Sequence, residues 1–170
     1  MALNDYIKYC FIKGSEREEE CKNYIESLGE GYVMKKTEYI EDRFKHMDFR
    51  LYKDNQLINI FDFKGNDKEG HEFGMDGYTW IETKNVEGNI GWFYAKNIDS
   101  LMFELPDRYI LVDIFPLREF CNKILGYVNE RSVNKPLNDY VLYKRNDRFD
   151  EIFRMPFSHI EKYIIKIFYK

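Results

Sequence analysis

The chain contains no apolar run of 18 residues, which excludes a transmembrane helix. Its opening stretch, MALNDYIKYCFIKG, lacks the basic start and the long apolar core of a secretory signal. Cysteine is scarce: Cys10, Cys21 and Cys121 are odd in number and have no metal-ligand spacing. That speaks against a disulfide framework and reads as reduced thiols in a cytoplasmic protein. The histidines, His46, His71 and His159, are scattered, and they outline no zinc site. An excess of basic charge is missing too. The net charge of -4 counts mildly against general nucleic-acid binding, although an acidic total can coexist with a local basic patch. No internal repeat, low-complexity tract or interdomain linker is visible, so residues 1–170 read as a single domain.

What is present is apolar and aromatic. Hydrophobic residues make up 44% and aromatics 18% of 170 residues, enough for a sizeable core and too much for disorder. Residues 4–12 have near-helical spacing, with Gly14 as a stop. The pattern Ser15-Glu16-Arg17-Glu18 reads as a capping box for a helix over residues 16–28, with Cys21, Tyr24, Ile25 and Leu28 as its apolar stripe. A strand or extended lead-in follows over residues 32–37. The sequence then predicts two strands around a polar turn between His46 and Lys64, a mobile glycine-rich loop over residues 66–77 beside the cleft, and a strand at residues 78–83. A hairpin over Pro106-Asp107 and a helix opened by Pro116 come next. Residues 129–138 read as a loop, residues 140–144 and 151–154 as strands, and Ser158-His-Ile-Glu161 as the cap of a closing helix. Helix, strands and helix in this order predict one mixed sheet with helices packed on it, an α/β or α+β arrangement.

The chemistry concentrates in the two strands between His46 and Lys64. Side chains two apart on a strand share a face, so Asp62 and Lys64 stand together, and Asp48 reaches them from the neighbouring strand. Ile58 and Ile60 share that face, while Phe61 and Phe63 line the other. A strand apolar on both sides is central in a sheet, and charge at its end is costly unless paired or bound to metal. Two carboxylates and an amine at one point suit metal-assisted phosphodiester hydrolysis. Asp48 and Asp62 would hold Mg²⁺ or Mn²⁺, and Lys64 would steady the attacking water or the charge on phosphorus. A purely structural Asp–Lys pair is the alternative. Glu82-Thr83-Lys84 also fits (D/E)-x-K, with Glu82 as an extra ligand or base. Trp92, in a glycine-bounded turn, could stack on bases. Lys144, Arg145 and Arg148 form the clearest basic cluster, either phosphate contacts or a solvated turn.

These residues resemble the core of the PD-(D/E)XK nuclease superfamily: a helix, a strand with Asp, then a strand with D-x-K. The series MDF, FDFKG, TWIE, EGNIGWFYAKNID, MFE, ILVDIFPL and YKRNDRFDEI is similar to a phage-associated group placed in that superfamily. The resemblance implies a restriction-endonuclease-like mixed central sheet flanked by helices, and a metal-dependent nuclease acting on DNA. It puts Asp48 and Asp62 at the acidic positions and Lys64 at the lysine. It also implies a first-helix glutamate, for which Glu18 has the right helical phase, while the capping box explains Glu18 equally well. A catalytically inactive nuclease-fold module with a protein partner is the second reading. A homodimer is compatible with either.

Overall fold

The computed structural model describes residues 3–65, 77–127, 131–133, 139–144 and 148–170. Arg145 and all of the expected loop except Gly77 lie outside the described residues. The chain begins with α1 (Leu3–Ser27), β1 (Tyr32–Lys36), the short α2 (Tyr39–Lys45), β2 (Phe49–Lys53) and β3 (Gln56–Lys64). Then come β4 (Tyr78–Lys84), a 3₁₀ turn at Trp92–Tyr94, β5 (Ser100–Leu105), β6 (Arg108–Asp113) and α3 (Ile114–Tyr127). The last part holds β7 (Arg131–Val133), β8 (Leu142–Lys144), β9 (Glu151–Pro156), two 3₁₀ turns and β10 (Ile164–Tyr169).

Six strands form the main sheet in the order β1-β2-β3-β5-β6-β10. The β3–β5 pair is parallel and the other pairs are antiparallel, so the sheet is mixed. β3 lies centrally, as its two apolar faces predict. A two-residue turn at Asp54 and Asn55, both with positive φ, joins β2 to β3 and sets their register.

The alternation of β3 divides the core into two layers. Phe61 and Phe63 face α1 and pack with Cys21, Ile25, Met34, Phe49, Leu51 and Met102. Phe49 and Phe61 stack at 5.6 Å between ring centroids. Burying each such ring contributes ~1.5–3 kcal/mol. Ile60 faces the other way, toward Leu101, Phe103 and Val112 of the main sheet, Leu117 and Cys121 of α3, and Ile81, Phe153 and Met155 of a second sheet.

That second sheet is a correction to the single expected sheet. Its four strands run β4-β9-β8-β7. β7 falls in the expected 129–138 loop, and it pairs in parallel with β8. The first helix is also one element rather than two. Gly14 costs only ~1 kcal/mol relative to alanine inside a helix, and the Lys13–Glu16 pair at 2.6 Å spans it. Ser15 therefore lies mid-helix and caps nothing. The expected closing helix is β10 instead. Ile164–Tyr169 is rich in β-branched and aromatic residues and pairs antiparallel with β6.

Candidate active site at the end of the central strand

The β2–β3 ladder pairs Phe49 with Phe61, and the backbone N–H of Asp48 donates to the Phe61 carbonyl at 3.1 Å. Continuing this register sets Asp48 opposite Asp62, on the face turned away from α1. Asp48 Oδ2 accepts a hydrogen bond from the Phe63 N–H at 2.6 Å. Lys64 Nζ lies 2.6 Å from Asp62 Oδ2. That oxygen is buried, and the ion pair with Lys64 is what compensates its charge. Asp48 and Asp62 are 7% and 3% exposed, whereas the Lys64 side chain is 26% exposed. The structure thus brings the three expected residues to one point at the sheet end.

The electrostatics follow from burial. Loss of water pushes the Asp48 carboxyl well above the usual carboxylate range, and the Asp62 charge adds to the rise. Asp62 is also raised, because burial there outweighs the attraction of Lys64. For Lys64, burial acts to lower the pKa, but Asp62 and Asp48 overcome it and the net shift is upward. The ammonium is therefore held charged.

Asp42 and Lys36, which the sequence pattern does not single out, join the cluster, and so does His46, two residues before Asp48. Asp42 of α2 lies close to Asp48, and burial followed by the Asp48 charge raises its pKa. Lys36 of β1 acts on both Asp42 and Asp48. His46 ends α2 in the left-handed conformation with φ 52°. Burial and the Lys64 ammonium lower its pKa, and the Ile90 backbone bonds its ring. Behind it lies a 190 Å³ cavity between Lys45, His46 and the 90–97 segment.

The remaining candidates fall at varied places. Glu18 pairs with Lys36 at 2.5 Å, so it meets the cluster through that lysine. Glu82, on β4 of the second sheet, acts electrostatically on Lys64 from across the cleft. Trp92 corrects the expectation of a presented stacking ring. It is buried, and its face lies 4.4 Å from Lys64 Nζ, where it holds the lysine by a cation–π contact. Lys144 and Arg148 are exposed around the β8–β9 turn. Lys144 is paired in register with Glu151, and Glu151 also binds Lys84 at 2.8 Å.

A hard divalent cation fits this donor set. Mg²⁺ is commonly held by one or two carboxylates, its other positions being left to water and substrate phosphate. Asp48 and Asp62 supply the carboxylates, and the Lys64 ammonium already offsets part of the Asp62 charge. Among the described residues no three His, Cys, Asp or Glu side chains form a ready-made metal cage, so a cation here would need oxygen from water or substrate. No described helix is long and apolar enough to cross a membrane. Comparison with protein-family models, curated proteins and solved structures gives no match, so the functional reading rests on the site itself.

Proposed function

We propose that this chain is a metal-dependent nuclease that hydrolyses phosphodiester bonds in DNA, built on a restriction-endonuclease-like sheet. The observation that carries the reading is the convergence of Asp48, Asp62 and a charged Lys64 at one end of the central strand. Asp48 and Asp62 would hold the cation. A bound Mg²⁺ or Mn²⁺ would neutralise charge on the non-bridging phosphate oxygens and acidify a water.

The raised pKa of Lys64 sets its role. It works as a cation that orients water and stabilises negative charge on phosphorus, not as a base that must first lose a proton. Glu82 helps to keep it protonated, and the Trp92 ring fixes its place.

Incubating the protein with Mg²⁺ or Mn²⁺ and single-stranded, branched and duplex oligodeoxynucleotides tests this. The wild type is expected to cut, and Asp62→Ala to lose both metal binding and cleavage. Lys64→Ala is expected to retain metal binding and to lose about 10²–10³ in turnover, the usual cost of removing one stabilising donor. A wild type that neither binds divalent metal nor cuts any of these substrates would leave the binding-module reading in its place.

A further inference from the structure

Beside the acidic strand end, β1, β2 and α2 enclose an open groove of 620 Å³. Four cations line it, Lys35, Lys36, Lys45 and Arg50, against two carboxylates, Glu38 and Glu41, with Tyr52 as a wall. This local positive excess stands out on a chain whose net charge is -4. We propose that the groove binds the sugar–phosphate backbone of a single nucleic-acid strand and leads it to Asp48 and Asp62. The inference rests on the nuclease reading for what happens at the inner end, but binding in the groove stands apart from cleavage.

Continuity comes first. Lys36 lines the groove and at the same time acts on Asp42 and Asp48. Asp42 sits on α2 between the groove residues Glu41 and Lys45. Lys36 thus belongs to the groove and stands within electrostatic reach of the carboxylates.

The cations differ in how firmly they are held. Arg50 Nη2 grips both oxygens of Glu41 at 2.8 and 2.9 Å, which fastens α2 to β2. Lys36 is engaged by Glu18 at 2.5 Å. Lys35 makes no ion pair among the described residues, and its Nζ rests 4.7 Å above the Tyr52 ring. Lys45 is 3.8 Å from Glu41 and 46% exposed. An exposed cation–π contact and a long ion pair are weak holds, readily exchanged for phosphate oxygens. Lys35 and Lys45 are the two groups poised to take phosphates.

The strand count follows from size and charge. A concavity in the range ~300–1,000 Å³ encloses a drug-sized molecule, which corresponds to a short length of one backbone. A duplex also carries one charge per about 1.7 Å of axis, twice the density of one strand. A small cationic patch on an acidic protein compensates one strand more fully than two.

The test uses fluorescent oligothymidylate and the full chain in EDTA, so that binding is read without cleavage. Anisotropy is followed across a salt series for wild type, Lys35→Ala/Lys45→Ala, Lys35→Arg/Lys45→Arg and Lys144→Ala/Arg148→Ala, with thermal melts to confirm folding. Each single-strand phosphate contact contributes ~0.7 to the slope of log K against log salt. The alanine pair is therefore expected to lower the slope by about 1.4 and to weaken binding at least tenfold. The arginine pair and the Lys144/Arg148 pair should bind as wild type does. Wild-type binding by the alanine pair overturns the proposal. So does tighter binding of duplex than of single strand, or displacement of the oligonucleotide by polyglutamate as effectively as by unlabelled oligothymidylate. Groove-dependent binding by a protein that cuts nothing with Mg²⁺ keeps this inference and removes the nuclease. Cleavage indifferent to the lysine pair does the reverse.

Discussion

Asp48 is the residue whose environment is most at odds with its charge. It is buried, it faces Asp62, and its pKa is pushed up by both. A carboxyl whose folded pKa lies above its unfolded one binds more protons in the native state, so its ionisation destabilises the fold as pH rises between those two values. Asp48→Asn keeps an oxygen to accept the Phe63 N–H and removes the charge. Without divalent metal, the variant is expected to melt ~2–4 °C higher at neutral pH, the shift that about 1 kcal/mol gives in a chain of this size. The gain should shrink as pH falls through the raised pKa and vanish near the ordinary carboxylate range. Melts across that pH range check it, and a variant less stable at neutral pH would contradict the electrostatic account. Asp48, Asp62 and Lys64 were legible in the sequence because strand alternation needs only a spacing of two and a short hairpin. Asp42 was not, since its approach depends on the turn of α2, which carries no periodic signal in seven residues, and Lys36 was not, since its place depends on the pairing of β1 with β2. Trp92 was misread for a related reason. Neighbouring glycines suggest a presenting turn, but whether the ring points out or in is decided by what packs above it.

Among the elements, the β4 segment and the 3₁₀ turn fix the lysine from its far side. Gly91 lets them close: a Cβ there would lie 2.5 Å from the Glu82 carbonyl oxygen and 2.8 Å from the Glu82 carbonyl carbon. Both obstacles are backbone, so Gly91→Ala must push β4 and the Trp92 turn apart. Overpacking of this kind costs ~1–3 kcal/mol. Chemical denaturation should show that loss, and cleavage should fall beyond it because Trp92 moves off Lys64. Unchanged stability would mean the two segments are not in tight contact. The hairpin over Pro106-Asp107 and the helix near Pro116 were readable, since turn chemistry and helical spacing act locally. β10 was not, because a capping pattern at Ser158 competes with a β-rich sequence, and the open edge of β6 decides between them. The continuity of α1 through Gly14 is a similar case, in which packing of Cys21 and Ile25 offsets a local penalty.

At the scale of the molecule, the mixed α+β class followed from the order of elements, while the second sheet did not. The strands at 78–83, 140–144 and 151–154 were legible singly, but β7 is three residues long, too short to show alternation, and the pairing of β4 with β9, distant in sequence, leaves no local signal. The two core layers meet at β3, so the strand that carries Asp62 and Lys64 is braced on both faces. On the proposed reading, metal uptake by these buried carboxylates would relieve the cost that burial imposes. Such uptake should also raise the melting temperature, by the equivalent of ~2.7 kcal/mol at one hundred times the dissociation constant.

Calorimetric titration of Mn²⁺ into wild type and Asp62→Ala, in two buffers of different ionisation enthalpy, tests the central claim most directly. Burial and mutual repulsion raise Asp48, and burial raises Asp62, so mildly acidic pH leaves protons on the cluster that a cation must expel. The account predicts that wild type binds Mn²⁺ with proton release that falls as pH rises, and that Asp62→Ala binds none. Equal uptake by both proteins, or none by wild type, would contradict it.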